Sequence, residues 1–275
     1  MDAAPRMRVN GVAAAAVGAA DRGLAYGDGL FETVRFVGAG APLWARHMER
    51  LARGCARLGL PPPDPALLLR EARAVGEGLD AAVVRITLTR GEGPRGYAPP
   101  AAPSPTRIVA AFPPPPPRAQ DYRDGVRVRT CGLRLAEQPR LAGLKHLNRL
   151  EQVLARAEWN DPAIAEGLLL DAAGRVVSAT AANLFAVLDG ELVTPALDRC
   201  GVAGVARAEI MAVRAVREAE LKPDRLAAAS ELFLSSSVRG ILPVRAWDAR
   251  ACAVGPVTRA LQRHWRELGF PMEAG

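Results

Sequence analysis

Two side chains in this sequence carry a primary amine, Lys145 and Lys222, although lysine and arginine together number 36. Arginine serves wherever a generic positive charge suffices. It stays protonated in proteins and cannot act as an amine nucleophile, whereas a lysine can lose its proton, form a Schiff base with a carbonyl and then carry protons. A lysine retained against that bias is a candidate for such chemistry. Lys222 has the plainer reading: it stands in E-L-K-P-D, directly before Pro223, where a helix is expected to end and a solvated cation suits the helix dipole. Lys145 stands in G-L-K-H-L-N-R-L-E-Q-V-L-A-R, Gly143 to Arg156. It precedes Leu147, Leu150, Val153, Leu154 and Ala157, which space like one face of a helix ending near Trp159.

Three further stretches carry groups suited to an anion. Leu43 to Leu58 places Leu43, His47, Leu51, Cys55 and Leu58 on one helical face and stops at Gly59. Arg46, Arg50, Arg53 and Arg57 line its other faces, mostly as solvent charges, with one able to clamp a phosphate or carboxylate. The turn C-G-V-A-G-V-A-R, Cys200 to Arg207, opens a helix expected to run to about Glu220, so the amides of Val205 and Ala206 face whatever anion sits at its start. A strand from Glu231 to Leu234 runs into Ser235, Ser236 and Ser237. A rare lysine, an arginine helix, a glycine turn and a serine run together suit a phosphorylated carbonyl cofactor, of which pyridoxal phosphate is the common one.

Composition narrows the alternatives. At 275 residues, 49% hydrophobic and 24% charged, the chain can bury a sizeable core in one or two domains. It has no apolar run of the roughly 18 to 20 residues that a membrane span needs. The N-terminus shows no secretion signal, since the alanine-rich run Val12 to Ala20 is too short and too weakly apolar. The net charge of +7 comes from scattered basic residues without interleaved aromatics, which argues against nucleic acid and for attraction of an anionic small molecule. Cys55, Cys131, Cys200 and Cys252 form no CxxC pair and fit free thiols in a reducing cytoplasm. His47, His146 and His264 are equally dispersed, so no metal site is expected.

A strand at Met7 to Val9 turns at Asn10-Gly11. The glycine-punctuated D-R-G-L-A-Y-G-D-G leads into Leu30 to Val37, which alternates like a half-buried strand. After the helix at 43–58, a second runs from Pro65 to Glu77, then strands at Val83 to Thr89 and Thr106 to Phe112 flank R-G-E-G-P-R-G-Y. The prolines Pro113 to Pro117 form a stiff connector. Beyond it lie strands at Val126 to Leu133, Gly167 to Asp171, Val176 to Ser178 and Asn183 to Leu188, and a closing helix from Pro256 to Leu268. This divides the chain into an N-terminal α/β domain, 1–112, a linker, 113–121, and a C-terminal domain, 122–275.

The motifs D-R-G-L-A-Y-G-D-G-L-F-E-T-V-R, H-M-E-R-L, R-G-E-G-P-R-G-Y, G-L-K-H-L-N-R-L-E-Q-V-L-A-R, A-A-N-L-F and G-V-A-G-V-A-R resemble, in order, those of the fold-type IV pyridoxal-phosphate enzymes, the class IV aminotransferase family. K-H-L-N-R-L-E-Q-V-L-A-R is most similar to the family's aminodeoxychorismate lyase branch. That branch makes 4-aminobenzoate and pyruvate from 4-amino-4-deoxychorismate in folate biosynthesis. The resemblance implies a two-domain α/β (α+β) fold: a smaller N-terminal α/β domain and a larger C-terminal domain with a mixed, barrel-like sheet. It also implies pyridoxal 5'-phosphate as cofactor, a cytoplasmic homodimer, Lys145 as the Schiff-base lysine, and Arg50 on the cofactor phosphate. The amides of Val205 and Ala206, with Ser236 or Ser237, would complete the phosphate site. Asn183 would join the cofactor contacts, and Phe31, Arg95 and Tyr97 would border the substrate.

One position departs from the family pattern. V-V-S-A-T-A-A-N-L-F puts Ser178 where the family usually has the glutamate that pairs with the pyridine nitrogen. A carboxylate there keeps the ring protonated and strongly electron-withdrawing, and a serine offers only a neutral hydrogen bond. Transamination depends on that electron sink. The lyase reaction depends on it less: the substrate amine forms the external aldimine, the freed Lys145 removes the ring proton, and loss of the enolpyruvyl group makes the substrate aromatic. The expectation is therefore a lyase. A D-amino-acid or branched-chain aminotransferase of the same fold is the alternative.

Overall fold

The computed structural model describes residues 6–13 and 16–271. Part of the N-terminal stretch read for a secretion signal lies outside them. The chain divides into two compact units, one reaching Pro115 and including Lys145–Asn148, the other formed by Pro116–Leu144 and the chain from Arg149 on.

The first unit holds β1 (Met7–Val9), β2 (Val12–Ala13), α1 (Arg22–Tyr26), β3 (Gly29–Val37), α2 (Trp44–Leu58), α3 (Pro65–Gly76), β4 (Ala81–Thr89) and β5 (Arg107–Phe112). Its strands form one antiparallel sheet in the order β2-β1-β5-β4-β3. Asn10 and Gly11 both take positive φ, 51° and 88°, the geometry a tight two-residue hairpin demands. Helices α2 and α3 cover the face that carries Leu30, Val34, Phe36, Val84 and Ile86, meeting it with Leu51, Cys55, Leu68 and Ala72. Strand β3 departs from the half-buried alternation read in the sequence: Phe31, Thr33 and Arg35 face away from α2, yet Phe31 and Arg35 are buried as well.

The second unit holds α4 (Ala119–Arg123), β6 (Val126–Leu135), α5 (Leu150–Arg156), β7 (Ile164–Asp171), β8 (Val176–Ala179), β9 (Asn183–Leu188), β10 (Glu191–Pro195), α6 (Val205–Val213), β11 (Arg217–Ala219), α7 (Pro223–Leu226), β12 (Glu231–Ser236), β13 (Gly240–Trp247), β14 (Arg250–Ala251) and α8 (Pro256–Glu267). A mixed sheet runs β11-β10-β9-β12-β13-β6-β7-β8, with β14 beside β13. Its two ends meet: the Val176 N–H donates to the Leu221 carbonyl at 2.7 Å in an antiparallel bridge, joining β8 to the residue pair that follows β11. The sheet curls back on itself, which is the barrel-like core expected.

The fold departs from the sequence expectation at three places. The helix after Lys145 covers only Leu150–Arg156, and Leu150, Val153 and Leu154, spaced as a buried face, are 75%, 60% and 61% exposed. Helix α6 stops at Val213, and Arg217–Ala219 pairs in parallel with β10 instead of extending the helix to Glu220. Lys222 stands at the start of the short helix α7, not at a helix end.

Candidate active site

Lys145 lies in a short extended segment on the free edge of β3. The Phe31 N–H donates to the Lys145 carbonyl at 3.0 Å and the Leu147 N–H to the Gly29 carbonyl at 3.1 Å, so Leu30 and His146 pair antiparallel. Gly29 is required there, because a Cβ would stand 2.4 Å from the Leu88 carbonyl and 2.9 Å from Leu147. The backbone of the lysine is thereby fixed by a sheet, and its amine rests 4.2 Å from the centroid of the Phe31 ring. Arg85, which stands opposite Thr33 on β4, brings its guanidinium carbon 4.4 Å from the same centroid. Two cations on one ring make this face of the unit attractive to anions.

The other face of β3 carries a buried ionic cluster that the sequence reading missed. Glu32, 1% exposed, accepts from Arg50 Nε at 2.8 Å and from Arg50 Nη2, and its Oε2 lies 2.6 Å from His47 Nδ1. His47 and Arg50 sit three residues apart on α2 and share its inward face. Arg53 and Arg57 are exposed, so Arg50 is the arginine of this helix that the fold takes inside. Burial pushes the Glu32 carboxyl up, but the charge and hydrogen bonds of Arg50, aided by His47, outweigh it and hold the carboxyl at about 2. Burial lowers the His47 imidazole below its usual range against the pull of Glu32, with Arg50 and Lys145 adding to the lowering. With its imidazole lowered, His47 donates a hydrogen bond from Nδ1–H to the ionised Glu32, and its buried Nε2 has no hydrogen-bond partner among the described residues. A signal was available: Glu32 shares the core-facing parity of Leu30 and Val34, and a carboxylate there needs buried cationic or hydrogen-bonding partners.

The second unit builds an anion cradle. Helix α6 starts at Gly204 with no side-chain cap, leaving the first-turn amides, those of Val205 and Ala206 included, without intrahelical partners. Asn183, on β9, fixes the turn that leads into them: its Oδ1 accepts from the Gly204 N–H at 3.0 Å and its Nδ2 donates to the Val202 carbonyl at 2.9 Å. A Cβ on Gly204 would stand 2.1 Å from that same Oδ1. Asn183 is paired in the ladder with Ser235 of β12, which brings the serine run beside the helix start. Ser235 Oγ is buried with no partner among the described residues, and Ser236 Oγ accepts from the Arg239 N–H at 3.1 Å. An uncapped helix start, an orphan hydroxyl and a serine turn fit a phosphate group. Ser178 stands on β8 opposite Leu169, 7% exposed.

Arg95 and Tyr97 are exposed on the loop after β4, Tyr97 to 87%. Among the described residues no group of three or more His, Cys, Asp or Glu could hold a metal ion. No helix among them is long and apolar enough to cross a membrane.

Comparison with known proteins gives this geometry its class. The pattern of the amino-transferase class IV family matches residues 29–247, and the chain belongs to that family. Aminodeoxychorismate lyase of Vibrio harveyi is 34% identical over 263 residues, 92% of this chain and 97% of the relative. Among solved structures, 4-amino-4-deoxychorismate lyase from Pseudomonas aeruginosa matches with a TM-score of 0.90 at 50% identity, covering 95% of this chain and 98% of the other. The branched-chain amino acid aminotransferase of Escherichia coli matches with a TM-score of 0.84 at 27% identity, covering 99% and 97%.

Proposed function

We propose that the chain is a pyridoxal-phosphate-dependent lyase that converts 4-amino-4-deoxychorismate to 4-aminobenzoate and pyruvate. The observation that carries this reading is the amine of Lys145, held by a sheet edge against Phe31 within the motif K-H-L-N-R-L-E-Q. Half of all aligned residues are shared with the Pseudomonas aeruginosa lyase, which supports the lyase over an aminotransferase.

The roles follow from the groups. When bound, the cofactor supplies an electrophilic carbonyl and an electron sink. Lys145 would hold that carbonyl until the substrate amine displaces it, and its freed amine then takes the proton from the substrate ring carbon that bears the amine. The enolpyruvyl oxygen leaves, the ring becomes aromatic, and Lys145 returns a proton to the departing enolpyruvate as it becomes pyruvate. Arg50, oriented by Glu32, the amides of Val205 and Ala206, and Ser236 or Ser237 would hold the phosphate. Asn183 shapes the turn that presents those amides. Ser178 would offer the pyridine nitrogen only a neutral hydrogen bond, which suits a reaction driven by the aromaticity of its product. Phe31, Arg95 and Tyr97 border the substrate, whose two carboxylates match the cationic face at Phe31.

The enzyme works as a homodimer in the cytoplasm. The exposed stripe Leu150, Val153 and Leu154 supports a second copy of the chain as the partner, and four unpaired cysteines support a reducing compartment.

The visible spectrum of the purified protein, followed by a 4-aminobenzoate assay on enzymatically generated substrate, tests the function. Both the cofactor band and the product are expected, and Lys145→Ala abolishes both. A band without 4-aminobenzoate would redirect the reading to D-amino-acid or branched-chain transamination.

A further inference from the structure

Arg22 begins a helix of five residues at the surface of the first unit, yet it is 4% exposed. Every part of it is used. Its N–H donates to the Gly91 carbonyl at 2.9 Å, and its Nε to Asp28 Oδ2 at 3.0 Å. Nη1 donates to the Gly96 carbonyl at 2.9 Å and Nη2 to the Tyr97 carbonyl at 3.0 Å. The guanidinium carbon lies 4.8 Å from the Tyr26 ring centroid, and the hydroxyl of that tyrosine accepts from the Gly96 N–H at 3.1 Å. Tyr26 and Tyr97 meet edge to face, 5.6 Å between centroids.

Asp28 is the fixed point of this assembly. It also accepts from Arg90 Nε at 2.7 Å and Nη2 at 3.1 Å, while Arg90 reaches the carbonyls of Leu58 and Gly59 at the end of α2. The loop from Gly91 to Tyr97 is therefore held through its backbone: two consecutive carbonyls and one amide at Gly96 and Tyr97 are tied to α1. Gly96, at a φ of 107°, supplies the turn that points both carbonyls at one guanidinium. Only a planar fork of donors can bridge two adjacent carbonyls while a third N–H binds a carboxylate.

We infer that Arg22, locked by Asp28 and Tyr26, is a positioning residue that sets the direction in which Arg95 and Tyr97 are presented to the substrate. The inference rests on the role proposed above for that loop. Arg95 is exposed and Arg22 is not, so a contact made by Arg95 with a substrate carboxylate is as well ordered as the backbone beneath it. Sequence position conceals this, because Arg22 and Tyr97 lie far apart in the chain and neither motif alone calls for the other.

Brief trypsin digestion with mass-spectrometric quantitation of the Arg95–Gly96 cut reads the clamp without reference to activity. Arg22→Ala is expected to accelerate that cut about tenfold or more, as a tethered loop becomes a freely opening one. In the same variant KM for 4-amino-4-deoxychorismate is expected to rise about tenfold with kcat within about threefold, because positioning of the substrate is lost and the reacting groups are untouched. Arg22→Lys, which keeps the charge and loses the fork, should fall between. Tyr26→Phe removes only the Gly96 acceptor and should move both readouts the same way by about twofold, which preserves the test should Arg22→Ala fail to fold. A cut rate equal to wild type in the folded variants overturns the clamp. A faster cut with unchanged KM overturns its role toward substrate. Failure of the proposed function would show separately, as absence of 4-aminobenzoate formation in the wild-type protein, and would leave the digestion result standing.

Discussion

Glu32 stays ionised at 1% exposure because Arg50 and His47 spend their hydrogen bonds on it. Its carboxyl is held at about 2 instead of 4.5, so its contribution to stability is fully present above pH 4.5 and is lost as the pH falls towards 2. The size of that loss is about 3 kcal/mol for the single group. Acid titration of unfolding free energy should show it: wild type loses stability between about pH 4.5 and 2, and Glu32→Gln, already destabilised at pH 7, shows a shallower slope there. Parallel curves would remove Glu32 as the source. Because Arg50 loses its buried partner, the same variant should also bind pyridoxal phosphate about tenfold more weakly in apoenzyme titrations. At this scale the sequence was partly legible. Lys145 stood out by scarcity alone, and Arg50 was one of four candidates on its helix. Glu32 and Arg22 did not stand out, because what distinguishes them is a partner supplied by another element.

Elements decide how those groups are held. Helical spacing after Lys145 was real for Leu150–Arg156, but the lysine itself follows the edge of β3, since the ladder to Phe31 and Gly29 satisfies backbone groups that a longer helix would have used internally. The stretch Arg214 to Glu220 has helix-forming residues and yet ends as a strand, for parallel pairing with β10 outweighs local preference. By contrast, Asn10-Gly11 announced its turn, because positive φ at both positions is written in the residue types. Asn183 shows an element device with a measurable consequence. It is 5% exposed and ties β9 to the turn before α6 by one donated and one accepted bond. Asn183→Ala should cost about 1 to 3 kcal/mol in chemical denaturation, the range for leaving a buried partner unsatisfied. It should also weaken cofactor retention on dialysis, and a loss of stability with undiminished retention would detach that turn from the phosphate.

For the whole molecule, the exposed face of α5 matters most. Leu150, Val153 and Leu154 form a contiguous apolar stripe at i, i+3 and i+4, of a kind a monomer rarely leaves bare. Sedimentation of the wild-type protein should give a dimer, and Val153→Glu should shift it towards monomer without unfolding α5, whose side chain at 153 is 60% exposed. A dimer unchanged in that variant would place the interface elsewhere. The sequence marked these residues as one face and could not say whether that face met its own core or another chain, because periodicity records direction and not what lies there.

The segment that brings Lys145 to β3 has a second effect. Strand β3 is a nine-residue edge strand, rich in apolar side chains, which is the usual template for unwanted pairing between molecules. Here His146 bridges Leu30 near one end and Gly40 folds back onto Val37 at the other. The peptide that carries Lys145 is thus also a guard against aggregation, so a mutation that loosens it would be expected to reduce the yield of well-behaved protein before it altered any rate.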